Sequence, residues 1–156
     1  MDEKRLLKYA IDYLSKYDSS KKNLSDVLKR KIFRLSTTGQ EKSKLIDLLD
    51  NIILKLEKNK LVDDNRYCMS KIISLSKIGK SKNFIFSYLI KKGIKKIEIQ
   101  DNLKIFQENN NNWELSSAQI FAKKKKLLDS NHSYEKRLAK MARAGFSYNI
   151  IKKILS

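Results

Sequence analysis

Residues that could bind a phosphate or act as a nucleophile are sparse and scattered in this sequence. The tripeptide Gly79-Lys80-Ser81 matches the end of a phosphate-binding loop. The full pattern also needs a glycine where Ser74 stands and a strand before the loop, but the preceding residues have the apolar spacing of a helix. A tripeptide without the rest of that loop does not cradle a triphosphate, so we interpret Gly79 as a break between two helices.

The single thiol and the single imidazole also lack partners along the sequence. Cys68 and His132 have no cysteine or histidine neighbour at the spacing of zinc ligands. Cys68 stands among apolar helix positions, which favours a buried packing role, and His132 lies in a polar turn. A catalytic pair of these two stays open, since such partners need only meet in space. Asp63 and Asp64 favour a helix cap over a metal site. We predict no enzyme, cofactor or metal.

Positive charge is the strongest chemical signal in the chain. The net charge is +18, and a polyanionic partner is the simplest reason for a compact protein to keep it. A composition that drifts toward lysine and asparagine would also raise the charge, but it would leave acids among the lysines, because Glu–Lys pairs stabilise helices. Nine Lys or Arg and no acid lie between Asn65 and Ile97, and six and no acid between Lys136 and Ser156. These two segments predict unbalanced basic faces.

We expect the contacts to a polyanionic partner to come from these two segments. The preferred residues are Arg66, Lys71, Lys80, Lys82, Lys91 and Lys92, and the second choice is Arg137, Lys140 and Arg143. The run Lys123-Lys124-Lys125-Lys126 is predicted to lie on a helix. At least two of its side chains could face a polyanion, or the run could be ordinary solvated surface, and both interpretations stay open.

The elements that position these residues are all predicted to be helices. The chain has no proline and only four glycines, and its apolar residues recur at helical spacing. Polar residues before helices, at Asp18-Ser19-Ser20, Asp63-Asp64 and Ser147, are predicted to cap them. A polar connector is predicted at Arg34–Ser43 and a solvated linker at Gln107–Asn112.

The sequence also bears on where the protein acts. No stretch approaches the roughly 20 apolar residues of a membrane span, and the N-terminus has no apolar core of signal-peptide length. A lone cysteine fits a reducing compartment. We therefore expect a soluble, cytoplasmic protein.

A helix-turn pattern divides the chain into repeats. The pattern of Leu89–Ile94 recurs 52 residues later as Met141–Phe146. A degenerate copy lies at Leu28–Phe33, with Ile32 in place of the glycine. Units of this size cannot bury their own apolar faces, so we predict an elongated, curved array of three three-helix repeats. Their predicted bounds are 1–62, 63–108 and 109–156. The repeated glycines, Gly93 and Gly145, are expected in the left-handed conformation after a helix, and Ile32 implies a different helix end in the first repeat.

Four segments resemble the RecX family. Leu61–Tyr67 (Leu-Val-Asp-Asp-Asn-Arg-Tyr) is similar to that family's Leu-Leu-Asp-Asp-x-Arg-Phe motif. Tyr88–Ile94 is similar to its Leu-x-x-Lys-Gly-Ile helix end, Tyr9–Ser15 to its start and Met141–Tyr148 to its last repeat. The turn after Gly79 lacks the usual proline, the first repeat lacks its glycine, and residues 34–44 are interpreted as an insertion. The resemblance spans nearly the whole chain.

This resemblance implies a regulator of recombination, DNA repair and the SOS response. Family members lie in the groove of the filament that the RecA recombinase forms on single-stranded DNA, limit its growth, and inhibit its ATPase and strand-exchange activities. The expected partners are therefore the RecA filament and the backbone of single-stranded DNA, bound by a monomer. The predicted repeats carry net charges of +6, +5 and +7, so no single end of the chain holds all the charge.

Two other functions remain open from the sequence. Short helix pairs with intervening glycines and a basic charge also suit a free-standing nucleic-acid-binding protein of the helix-turn-helix type. A helical-repeat adaptor for an acidic protein would use its lysines as solubilising cover. Sequence-specific footprints on duplex DNA would indicate the first, and partner binding at high salt without DNA would indicate the second.

Overall fold

The fold is entirely helical in the part of the chain that the computed structural model describes, residues 1–129 and 132–156. These residues form nine α-helices and no strand, as the sequence predicts. The helices are α1 Glu3–Lys16, α2 Lys21–Leu35, α3 Gly39–Lys58, α4 Asp64–Lys77, α5 Lys82–Lys91, α6 Lys96–Asn109, α7 Trp113–Lys124, α8 Tyr134–Arg143 and α9 Tyr148–Leu155. The predicted polar turn at 129–133 falls partly on Ser130 and Asn131, which lie outside the described residues.

Oxygen-bearing side chains start several helices by accepting an N–H group that the first turn leaves without a partner. Ser20 accepts the Asn23 N–H at 3.1 Å, Asp63 accepts the Arg66 N–H at 3.1 Å, and Ser147 accepts the Ile150 N–H at 3.4 Å. The caps predicted at these three residues are therefore confirmed. Thr38, Ser81 and Ser133 cap α3, α5 and α8 in the same way.

Three predicted element boundaries are wrong. The connector at Arg34–Ser43 shrinks to 36–38, because α2 continues to Leu35 and the Thr38 hydroxyl accepts the Glu41 N–H at 3.1 Å to begin α3. The linker at Gln107–Asn112 shrinks to 110–112, since buried Phe106 holds the last turn of α6. The lysine run is only half helical: α7 ends at Lys124 and Lys126 has a positive φ of 56°.

The first compact unit comprises Met1–Tyr67 and the short segment Lys92–Ile94. Apolar faces of α1, α2 and α3 form its core, which includes the buried side chains of Leu6, Leu24, Leu28, Ile32, Leu49, Ile52 and Leu56. Ile32, which replaces the repeat glycine, is fully buried inside α2. The helix therefore runs on to Leu35 and ends in extended backbone at Ser36, so the expectation of a different helix end here is confirmed.

The second compact unit comprises Cys68–Lys91 and Lys95–Ser156. One core cluster lies among α7, α8 and α9 and consists of Ala118, Ala122, Leu127, Met141, Phe146 and Ile151. Cys68 is fully buried, in agreement with a packing role. His132 is exposed, as expected. The bounds of the three repeats stay a prediction.

Each of the two glycines of the repeated pattern follows a residue whose carbonyl accepts a hydrogen bond from a capping serine. In the second unit, Gly145 has a φ of +98° and follows Ala144, whose carbonyl accepts a hydrogen bond from Ser81 Oγ at 2.7 Å. In the first unit, Gly93 has a φ of +81° and follows Lys92, whose carbonyl accepts from Ser20 Oγ at 2.7 Å. A side chain on Gly145 would collide with Ser81 Oγ. Both glycines thus provide the left-handed turn that the sequence predicts, but a side chain on Gly93 would collide with Lys22 rather than with a serine.

Candidate functional site

The basic residues of α8 meet in one pocket. Lys136, Lys140 and Arg143 are spaced four and three residues apart, which places them on one helix face. Together with Arg137 they line a cavity of about 250 Å³ that we call the α8 pocket. Its remaining lining residues are Leu127, His132 and Ala139, so no acidic side chain takes part. The structure thus gathers all three second-choice residues and adds Lys136.

Arg137 is the fixed cation of the α8 pocket. Its Nη1 donates a hydrogen bond to the Leu127 carbonyl at 3.1 Å, and its guanidinium carbon lies 5.9 Å from the centre of the Tyr134 ring. Its Nε is buried and has no hydrogen-bond partner within the described ranges. A guanidinium held in this way can donate its remaining N–H groups to an oxyanion without further ordering.

The size and charge of the α8 pocket define what it can bind. The cavity is smaller than the roughly 300 Å³ at which pockets for drug-sized ligands begin. A phosphate group therefore fits it better than a whole nucleotide. Lys136, Lys140 and Arg143 are exposed around the half-buried Arg137. The arrangement suits one anionic group held by Arg137, with further negative charge along the rim.

The preferred residues of the sequence analysis are not gathered in this way. Arg66 and Lys92 belong to the first unit, where Arg66 Nη1 donates to the Lys60 carbonyl at 3.2 Å and Lys92 is half-buried. The other four belong to the second unit, where Lys71 is half-buried and Lys91 is exposed.

A segment without Asp or Glu in its sequence can still lie near carboxylates in the structure, as it does at Lys82. Its backbone N–H donates to the Glu114 carboxylate at 2.8 Å. Its side chain also lines a cavity of about 580 Å³ that includes both Lys104 and Glu108. Carboxylates from distant parts of the sequence therefore lie near this residue, and the prediction of a purely basic face is too simple here.

Ion pairs are concentrated in the first unit. Those recorded for the described part of the chain are Lys21–Glu57 at 2.8 Å, Lys22–Asp26 at 3.1 Å, Lys55–Glu3 at 3.6 Å and the N-terminus with Glu41 at 3.4 Å. None of these pairs includes Lys82, Lys91 or a cation of the α8 pocket. Within residues 1–129 and 132–156, no carboxylate therefore forms an ion pair with Lys136, Arg137, Lys140 or Arg143.

The two acids of the motif at 63–64 have different roles. Asp63 caps its own helix, whereas the Asp64 carboxylate accepts the backbone N–H of Lys21 at 2.8 Å, at the start of α2. Burial raises the pKa of the Asp64 carboxyl above its usual value, while the hydrogen bond and the charge of Lys21 oppose this shift. Both acids serve helix starts, but the sequence did not indicate that Asp64 serves a helix 43 residues away.

Aromatic residues of α5 add a feature that the sequence analysis missed. Phe84 and Tyr88 lie one turn apart, with ring centres 6.5 Å apart and planes inclined by 22°. The Lys80 ammonium lies 4.5 Å from the centre of the Phe84 ring, and exposed Lys91 follows Tyr88 by three residues. We call these four residues the α5 stripe. The helical spacing of these four residues in the sequence was the signal that could have indicated the stripe.

The described residues contain no group of three or more His, Cys, Asp or Glu side chains that could hold a metal ion. None of their helices is both long enough and apolar enough to cross a membrane.

Similar proteins identify the family. No protein-family model matches the chain. It is 31% identical over 154 residues to the regulatory protein RecX of Myxococcus xanthus (strain DK1622), a match that covers 94% of this chain and 81% of that protein.

Solved structures agree with this similarity. The crystal structure of RecX from Lactobacillus salivarius overlays with a TM-score of 0.70 at 25% identity, covering 97% of this chain and 92% of that one. The crystal structure of a regulatory protein RecX also overlays with a TM-score of 0.70, at 22% identity, and covers 96% of this chain and 70% of that one; it supports the fold alone. From the extent and identity of the match to the Myxococcus protein, the chain belongs to the RecX family of regulatory proteins.

Proposed function

We propose that this RecX-type regulator binds the RecA filament on single-stranded DNA and lowers its ATPase and strand-exchange activities. The observation that carries the proposal is the α8 pocket, where four cations converge without a carboxylate in the lining. A pocket of this kind suits the phosphate backbone, which is the part of DNA that every sequence shares. A regulator of recombination must act on any sequence, so backbone contacts are the chemistry it needs.

The electrostatic part of the proposal has a measurable consequence. Each phosphate that a cation neutralises on a single strand adds about 0.7 to the slope of log affinity against log salt. Four cations of the α8 pocket, each on one phosphate, would contribute a slope of about 3. Binding that rests on this pocket should therefore weaken steeply as salt rises.

The proposal also covers the other basic residues and the state in which the protein acts. Exposed Lys82 and Lys91 are available for further phosphate or RecA contacts, whereas the Arg66 guanidinium donates to the Lys60 carbonyl and Lys92 is half-buried. We propose that the protein acts as a monomer in the cytoplasm, without a cofactor and without catalysing a reaction. The three-helix repeats at 1–62, 63–108 and 109–156 would form the array that follows the filament.

The test is the rate of ATP hydrolysis by RecA on single-stranded DNA while this protein is titrated in. The proposal expects the rate to fall with increasing protein. The variant Lys136→Gln/Lys140→Gln/Arg143→Gln should need more protein for the same effect. Unchanged hydrolysis at saturating wild-type protein would remove the proposal, and sequence-specific footprints on duplex DNA without RecA would favour a helix-turn-helix DNA reader instead.

A further inference from the structure

We propose that the α5 stripe is a stacking platform for single-stranded DNA. Bases would lie on the rings of Phe84 and Tyr88, and the ammonium groups of Lys80 and Lys91 would meet the flanking phosphates. The inference rests on the proposed function in one respect, namely that the ligand is the strand inside a RecA filament. It adds that this protein contacts the bases as well as the backbone.

The position of the stripe is fixed by the first turn of α5. Ser81 Oγ accepts the Phe84 N–H at 3.1 Å and donates to the Ala144 carbonyl at 2.7 Å, so the start of the helix is held on both sides. Ile85 and Leu89 are fully buried and anchor the inner face of α5. Phe84 remains 40% exposed on the outer side, so its ring is accessible to a partner.

The ring geometry suits planar ligands. The Phe84 and Tyr88 planes are inclined by only 22°, with centres 6.5 Å apart. Bases stacked on the two rings would therefore have similar orientations, as neighbouring bases of one strand do. Phe84 and Tyr88 are also one helical turn apart, a rise of about 6 Å. Because all four bases have an aromatic face, stacking of this kind requires no particular sequence.

The neighbouring cations indicate that the occupant is a nucleic acid. The Lys80 ammonium lies 4.5 Å from the centre of the Phe84 ring, within the range of a cation–π contact. The backbone of Lys80 is fixed, since its carbonyl accepts from Ser117 Oγ at 2.6 Å, so only the side chain need move. A phosphate carries a full charge, whereas a ring offers only a quadrupole. An arriving strand can therefore attract the ammonium away and leave the ring face to a base.

Single-stranded DNA fits the α5 stripe better than the other classes of partner. In a duplex the faces of the bases are covered by their neighbours, whereas a single strand exposes them. An apolar groove on a protein would have to desolvate Lys80 and Lys91 next to the rings, which is unfavourable without a compensating charge. A strand offers both an aromatic face and an anion at every nucleotide.

The experiment compares two oligonucleotides that carry the same phosphates. Full-length protein without RecA is titrated into a fluorescently labelled single strand and into a matched strand with abasic sites, and anisotropy gives the two affinities. The wild type should prefer the strand with bases. Phe84→Leu should lower affinity for that strand about tenfold, which is about 1.4 kcal/mol, and leave the abasic strand within about twofold. Tyr88→Phe should retain the preference, and Tyr88→Leu should reduce it.

The matched control is Phe33→Leu. Phe33 is 54% exposed and has the Lys42 ammonium 5.7 Å from its ring centre, but it lies outside the stripe. This variant should leave both affinities unchanged. Melting curves of Phe84→Leu and Phe33→Leu should match the wild type, because leucine keeps helix propensity and both rings are exposed.

Three results would overturn the inference. The first is that the wild type binds the two strands with equal affinity. The second is that Phe84→Leu loses the same affinity for both strands. The third is that Phe84→Leu binds both strands as the wild type does but no longer slows RecA. The last result would assign the ring to a protein contact. Base preference is measured without RecA, so its failure is distinguishable from an unchanged RecA ATPase, which would remove only the proposed function.

Discussion

Neutralising the rim of the α8 pocket should flatten the salt dependence of DNA binding. The variant Lys136→Gln/Lys140→Gln/Arg143→Gln removes three of the four lining Lys and Arg charges. It leaves Arg137, whose hydrogen bond to the Leu127 carbonyl supports the turn after α7. Three lost phosphate contacts should reduce the slope of log affinity against log salt by about 2. Between 50 and 200 mM salt the wild type should therefore lose roughly 20-fold more affinity than the variant.

The assay is a titration of a labelled single strand at several salt concentrations. The control variant is Lys16→Gln/Lys44→Gln/Lys58→Gln, which removes the same charge from exposed lysines of the first unit. Its slope should stay close to that of the wild type. The reasoning fails if both variants flatten the slope equally, because net charge rather than the pocket would then govern binding, or if neither does.

Two further predictions concern stability. Gly145→Ala places a side chain at a φ of +98° and against Ser81 Oγ, so it should lower the free energy of unfolding in urea by about 2 to 3 kcal/mol. The control is Gly39→Ala, which has open space at the start of α3 and should be neutral or stabilising. Equal effects of the two substitutions would contradict the argument. Burial raises the pKa of the Asp64 carboxyl, so its contribution to stability should decline as pH rises from the ordinary value of 3.8 to the raised pKa, and then level off. Asp64→Asn can still accept the Lys21 N–H, so its stability relative to the wild type should increase as pH rises above 3.8. A difference in unfolding free energy that does not change with pH would refute the argument.

The local rules of helix formation predicted much of the fold. Apolar spacing predicted the helices, and serine or aspartate before an apolar run predicted caps such as Ser20 and Ser147, because both signals depend on residues within one turn. The start of α3 could not be predicted in the same way. Polar residues around Thr38 have the composition of a loop, but a single hydroxyl–amide hydrogen bond begins α3 there.

The candidate site was predictable only where its residues share one helix. Arg137, Lys140 and Arg143 are close in sequence, so their common pocket follows from helical periodicity. The surroundings of Lys82 do not, because Glu114 reaches its N–H from 32 residues away. Contacts of that kind depend on how the helices pack, and a local sequence pattern does not predict helix packing.

Ser81 and Ser20 each use one hydroxyl for two opposite tasks. The oxygen of Ser81 accepts the Phe84 N–H while its proton goes to the Ala144 carbonyl, and Ser20 does the same with Asn23 and Lys92. Aspartate would cap the helix equally well but has no proton to give, and alanine could do neither. These positions therefore favour a side chain that both accepts and donates a hydrogen bond, and in serine one small hydroxyl does both.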